Sequence, residues 1–215
     1  MIGLRILKRK RAVELDVARK FLELPVANVS DCMSRMFAGG ARLRPMHRGG
    51  PMAGPAFTVK TRPGDNLMIH KALWMASPGD VIVVDAGCWG GILTLGASLR
   101  GVAGVVADGP VRDVDEARGL DFPVFARAST ARTARGRIVE LGTGVPVRIG
   151  DVNVGAGDFV IADGSAVVFV RAADLERVVE AAEQIAAREA AMADALRAGR
   201  PITEVMGASY EHLLK

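Results

Sequence analysis

Cysteine is scarce in this 215-residue chain, where Cys32 and Cys88 stand far apart and form no metal-ligand spacing. A disulfide-stapled scaffold and a zinc module are thereby excluded, and two separated thiols fit a reducing compartment, so the cytoplasm is the expected location. Aromatic residues are also few: Trp74, Trp89, Tyr210 and seven phenylalanines. They do not interleave with basic residues as stacking on single strands requires, and no nucleic-acid partner is expected. No apolar run reaches the roughly 18 residues that cross a bilayer, so no membrane partner is expected. Basic residues follow the opening apolar segment rather than precede it, which is not the order of a secretory leader. Phosphate-binding and dinucleotide glycine motifs are missing, as is the Gly-x-Ser-x-Gly elbow of serine hydrolases.

What remains is the composition of a folded globular protein, half hydrophobic and a quarter charged, with 25 glycines. The net charge of +4 is concentrated in two clusters. Arg5, Lys8, Arg9, Lys10 and Arg11 form a basic tail. Arg127, Arg132, Arg135 and Arg137 suit an anionic ligand. Residues 12–24 carry Val13, Val17 and Phe21 at helical spacing, and Pro25 is expected to close that helix. A short helix is expected to start near Ser30 and end at Gly39-Gly40.

From Asp65 the pattern alternates. A helix through Ser77 leads to the apolar strand Val81 to Val84. A helix from Gly90 to Arg100 precedes a strand over 102–107, and a helix over 111–118 precedes a strand over 123–126. This βαβαβ order predicts parallel strands joined by right-handed crossovers. Short β runs at 137–140, 146–149, 159–162 and 167–170 predict hairpins, and a long helix spans about 174–198 before Gly199 and Pro201. The expected organisation is a basic tail and helix over residues 1–24, then one α/β domain over 25–215.

The densest polar cluster, Ala107-Asp108-Gly109-Pro110-Val111-Arg112-Asp113-Val114-Asp115-Glu116, begins where a buried strand should end. Ligands collect at such edges. Arg112 could clamp a carboxylate and Asp113 could hold a hard divalent ion. The plainer alternative makes Asp108-Gly109 a turn, Asp113 a helix start and Arg112 a solvated surface residue. Gly87-Cys88-Trp89-Gly90-Gly91-Ile92-Leu93 opens a helix after the preceding strand, where backbone amides favour an anion. In the long helix, Glu189 falls inside the stripe formed by Leu175, Val178, Ala182, Ile185, Met192 and Leu196. It must be paired, lie at an interface, be used, or snorkel to water from the stripe's edge. His70 reads as a structural residue.

The run Gly104 to Asp113, preceded by Trp89-Gly90-Gly91 and followed by Phe122-Pro123-Val124-Phe125, resembles the class II 4-hydroxy-4-methyl-2-oxoglutarate/4-carboxy-4-hydroxy-2-oxoadipate aldolases. Their superfamily includes the regulator of ribonuclease activity A. The resemblance covers about residues 25–200 and rests chiefly on Asp-Gly-x-x-Arg-Asp. It implies a three-layer α/β/β swivelling-domain fold with a mixed sheet, assembled as a homotrimer or hexamer with active sites between subunits. It implies a lyase that releases pyruvate from 2-oxo acids, with oxaloacetate decarboxylation sharing the same enolate, or else a non-enzymatic regulator. In the implied site Arg112 holds the pyruvoyl group and Asp113 carries Mg²⁺ or Mn²⁺. The loop Gly90, Gly91, Ile92 and Leu93 binds the substrate carboxylate, and Asp31 and Glu189 reach in from a neighbouring subunit. One departure stands out. The aldolases carry an acidic residue at the position of Gly91, and no acid in the loop replaces it, so aspartate placed there is expected to raise aldolase turnover. Methyl transfer to a quinone is excluded by the lack of a glycine-rich cofactor loop.

Overall fold

A computed structural model describes residues 5–6, 15–33, 37–39, 42–133 and 141–207. The expected strand over 137–140, and Arg135 and Arg137 with it, lie outside the described residues. Between Arg5 and Lys60 the elements are β1 (Arg5–Ile6), α1 (Leu15–Leu22), α2 (Val26–Cys32), β2 (Arg44–Pro45) and β3 (Met52–Lys60). The alternating part follows as α3 (Leu67–Met75), β4 (Val81–Val84), α4 (Gly91–Leu99), β5 (Gly104–Val111), α5 (Val114–Gly119) and β6 (Val124–Ser129). Short strands β7 (Gly142–Thr143), β8 (Val147–Ile149), β9 (Val152–Val154), β10 (Phe159–Ala162) and β11 (Val167–Val170) precede the long α6 (Leu175–Arg197) and α7 (Ile202–Met206).

The sheet is mixed, in the order β1-β7-β3-β4-β5-β6-β2, and the fold is α/β. Strands β4, β5 and β6 are parallel, as the βαβαβ pattern predicts, and β3 adds a further parallel strand beside β4. Val81–Val84 is buried along its whole length, which explains why it reads as an unbroken apolar run. β3 runs from Met52 because its first half, Met52 to Pro55, pairs antiparallel with β10. β3 thus joins the parallel sheet to the β10–β11 hairpin.

Three apolar clusters define the layers. Phe57, Met68, Ile69, Ile82, Trp89, Leu93 and Val105 pack α3, α4 and α5 on one face of the parallel sheet. Met52, Val83, Val106 and Phe125 cover the other face with Ile149 and Val154 of the β8–β9 hairpin. Phe21, Val26, Val29, Phe159 and Leu175 form the third cluster, between α1, α2, α6 and the outer hairpin.

Two expectations are corrected here. The second helix starts at Val26, not near Ser30, because Asp163 accepts the Val26 amide at 3.1 Å and completes its start; Pro25 therefore opens α2 as its N-cap. The apolar stripe of α6 is covered only through Ala186: Met192 is half-buried and Leu196 exposed, so Glu189 sits beyond the buried part of the helix. No helix among the described residues is long and apolar enough to cross a membrane.

Candidate functional site

The site forms at the carboxyl ends of β4 and β5, whose parallel pairing brings the loops after both strands to one edge of the sheet. Asp108-Gly109 is not a turn: β5 continues through it as an irregularity, with Ala107 opposite Ala126 and Pro110 opposite Ala128. Asp108 pins this irregularity by accepting Arg127 Nε at 2.5 Å and Nη2 at 2.8 Å, and the Gly150 amide at 3.0 Å. A Cβ at Gly109 would strike the Gly87 backbone, and one at Gly87 would strike Pro110. These two glycines let the β4–α4 loop lie flat on the end of β5, and any side chain would push the loops apart.

The loop is braced from within. Trp89, buried, donates its indole N–H to Thr94 Oγ1 at 2.8 Å, and Thr94 Oγ1 donates to the Gly90 carbonyl at 3.0 Å. The Arg112 amide donates to the Trp89 carbonyl at 2.9 Å. Arg112 and the first turn of α4 are therefore held to one another through the backbone.

Asp113 adopts a left-handed conformation (φ 57°, ψ 43°), uncommon for a residue with a side chain and tolerated best by Asp and Asn among non-glycines. Its carboxylate accepts the Gly91 amide at 3.0 Å and Arg112 Nε at 3.0 Å. The Gly91 N–H, aided by the Arg112 guanidinium, holds the Asp113 carboxyl below its ordinary range, and it stays ionised at neutral pH. Among the described residues, Arg112 Nη1 and Nη2 take no hydrogen-bond or ion-pair partner.

The carboxylate of Glu116, in the first turn of α5, fills the volume beside Gly91. A Cβ built on Gly91 would coincide with it, and a Cβ on Gly90 would come within 2.9 Å of Asp113 Oδ2. Both carboxylates thus border the Gly90-Gly91 peptide. Among the described residues, Glu116's side chain takes no hydrogen bond or ion pair. No group of three or more His, Cys, Asp or Glu ligands occurs among them. A pair of oxygen ligands fits Mg²⁺, which keeps several waters and takes one or two carboxylates, better than it fits zinc.

A cleft of about 500 Å³ opens here, lined by Gly90, Gly91, Ile92, Leu93, Arg112 and Asp113 among others. The structure therefore brings together six of the eight residues expected from sequence. Asp31 and Glu189 lie elsewhere in the chain: Glu189 on α6 accepts from the buried Asn28 of α2 at 3.0 Å, and Asp31 is on α2. Sequence reading missed Glu116, Asn66 and the Trp89–Thr94 brace, and treated His70 as structural although it lines the cleft. Cys88 also lines it, and burial, with Asp65 nearby, pushes its thiol up to about 11.

The chain belongs to the RraA-like (Aldolase/RraA) family, which it matches over residues 26–169. Within that family it is 34% identical over 206 residues to a Halalkalibacterium halodurans protein named "Putative 4-hydroxy-4-methyl-2-oxoglutarate aldolase", covering 90% of this chain and 96% of that one. A crystal structure of an uncharacterized protein from Pseudomonas syringae superposes with a TM-score of 0.81 at 26% identity, covering 91% of this chain and 98% of that one. Streptomyces coelicolor RraAS2, described as an unusual member of the RNase ES inhibitor RraA family, gives 0.73 at 25% identity, covering 85% and 96%.

Proposed function

We propose that the protein is a divalent-metal-dependent lyase that cleaves 4-hydroxy-2-oxo acids of the 4-hydroxy-4-methyl-2-oxoglutarate type to pyruvate. The observation that carries this reading is the Glu116 carboxylate in the space beside Gly91. It supplies the acid that the loop lacks, from the next helix, and removes the reason to expect a crippled site.

The amides of Ile92 and Leu93 at the start of α4 receive the substrate's C1 carboxylate, while that of Gly91 stays on Asp113. Arg112 points its free Nη donors at the C2 oxygen, where charge accumulates. Glu116 takes the proton from the C4 hydroxyl as the C3–C4 bond breaks. The electron pair of that bond moves toward the C2 oxygen, giving an enolate, and C4 leaves as a carbonyl. Glu116 then returns the proton to C3, completing pyruvate. Asp113, with Glu116 beside it, would hold Mg²⁺ or Mn²⁺, which supplies positive charge to stabilise the developing oxyanion. Oxaloacetate decarboxylation would draw on the same charge stabilisation.

A homotrimer, or a hexamer of two such rings, would bring Asp31 and Glu189 of a neighbour to the cleft. Support comes from Ile92, Leu95 and Leu99, on one face of α4, and Trp74 on α3, all exposed and suited to burial between copies; Ile92 also lines the cleft. A non-enzymatic regulator would use that same face for another protein. The two readings separate in one experiment: pyruvate release from a panel of 4-hydroxy-2-oxo acids and oxaloacetate, with Mg²⁺ and with EDTA. Metal-dependent release supports the lyase, and no release from any substrate refutes it.

A further inference from the structure

β5 reaches the site one residue out of step with its neighbour. Ala107 lies opposite Ala126 and Pro110 opposite Ala128, so β5 carries one extra residue between these two pairs. A strand advances about 3.3 Å per residue, and the extra residue draws Arg112 back by about that distance along the sheet edge. The Arg112 amide thereby meets the Trp89 carbonyl at 2.9 Å, and Asp113 meets the Gly91 amide at 3.0 Å. With the extra residue pulled straight, neither contact keeps its register.

The side chain that holds the bulge is Asp108, which is only 10% exposed and does not line the cleft. One of its oxygens accepts Arg127 Nε, and the other accepts Arg127 Nη2 and the Gly150 amide. Gly150 lies in the turn between β8 and β9. One carboxylate thus ties the bulge to β6 and to the hairpin that covers the far face of the sheet. Arg127, which by sequence suits an anionic ligand, is committed within the fold.

We propose that Asp108 and Arg127 are positioning residues for Arg112: the pair holds the extra residue in β5 and so sets where the Arg112 guanidinium stands against the α4 loop. The effect on rate rests on the lyase reading, and the effect on structure rests on the bulge alone. A misplacement of about 1 Å can cost about 100-fold in rate, and one step of a strand is larger than that.

Asp108→Asn keeps the side chain's shape but turns an NH₂ group against one of the three donors. Pyruvate release from 4-hydroxy-4-methyl-2-oxoglutarate is assayed with Mg²⁺, where unfolding midpoints show each variant folded. Asp108→Asn should lose about 10- to 100-fold in kcat with KM changed by no more than about twofold, because Arg112 acts chiefly in the transition state. Arg127→Lys, which keeps the charge without the two-point bond, should lose about 10-fold and carries the same comparison if Asp108→Asn does not fold. In an Arg112→Ala background either substitution should lower kcat by no more than about twofold, since its effect runs through Arg112. Hydrogen exchange reads the bulge without substrate: amides between Gly109 and Asp113 should exchange at least ~10-fold faster in the variant, and those of β4 should not.

The same fold-loss with and without Arg112, or full kcat in a folded variant, would overturn this inference and leave the lyase reading intact. A wild type inactive on this substrate overturns the lyase reading, and exchange then decides whether the pair holds Arg112. Unchanged exchange between Gly109 and Asp113 overturns the inference in either case.

Discussion

Glu116 occupies with its carboxylate the space into which a side chain on Gly91 would project. The two positions are coupled by exclusion: an acid can stand here from α5 or from the α4 loop, but not from both. Glu116→Gln should lower kcat for pyruvate release by about 100- to 10,000-fold, the range for removing a general acid–base group. Steady-state assay on 4-hydroxy-4-methyl-2-oxoglutarate reads this directly.

Gly91→Asp alone should reduce turnover, because the new carboxylate meets Glu116 in volume and in charge. This reverses the expectation drawn from sequence. Glu116→Ala combined with Gly91→Asp should recover at least ~10-fold over Glu116→Ala, since the acid is then supplied from the other side. Assay of the two single variants and the double variant gives the coupling.

Asp113 combines a charge with a left-handed backbone. Asp113→Asn keeps a residue that tolerates this conformation, and Asp113→Ala does not, so Ala should be the less stable by about 1 kcal/mol in urea unfolding. Both should lose Mg²⁺ affinity by calorimetric titration, because both lack the carboxylate.

Thr94 pins the β4–α4 loop, accepting from Trp89 and donating to the Gly90 carbonyl. Thr94→Val leaves the buried Trp89 indole N–H without an acceptor and should cost about 1–3 kcal/mol in urea unfolding. Thr94→Ser retains the hydroxyl and should recover most of this loss.

Cys88, with its thiol pushed up to about 11, is protonated at neutral pH. In a Cys32→Ser background, iodoacetamide should modify it slowly at pH 7.5, and the rate should climb as pH approaches 11, because only the thiolate reacts. A rate already at its plateau at pH 8 would contradict this environment.

The parallel core was legible because β4 and the first half of β5 are apolar runs between helix-forming segments, a pattern that local chemistry imposes. The reach of β3 back to Met52 was not legible, since Gly54 and Pro55 look like loop until β10 is known to pair with them. The same holds for β5, whose Asp-Gly-Pro reads as a turn but is an irregularity locked by Arg127 and Gly150. Arg112 and Asp113 could be found from one contiguous motif. Glu116 could not, because its role depends on α5 folding against a loop far earlier in the chain, and no periodicity records that contact. Glu189 looked anomalous for want of Asn28, which lies on another helix.

On the lyase reading, Arg112 stabilises the oxygen of a 2-oxo acid as a carbon–carbon bond breaks. The most direct test is pyruvate release from 4-hydroxy-4-methyl-2-oxoglutarate by wild type and by Arg112→Ala, at saturating Mg²⁺. Wild type should turn over and the variant should lose at least about 100-fold. Equal rates for the two proteins would contradict it.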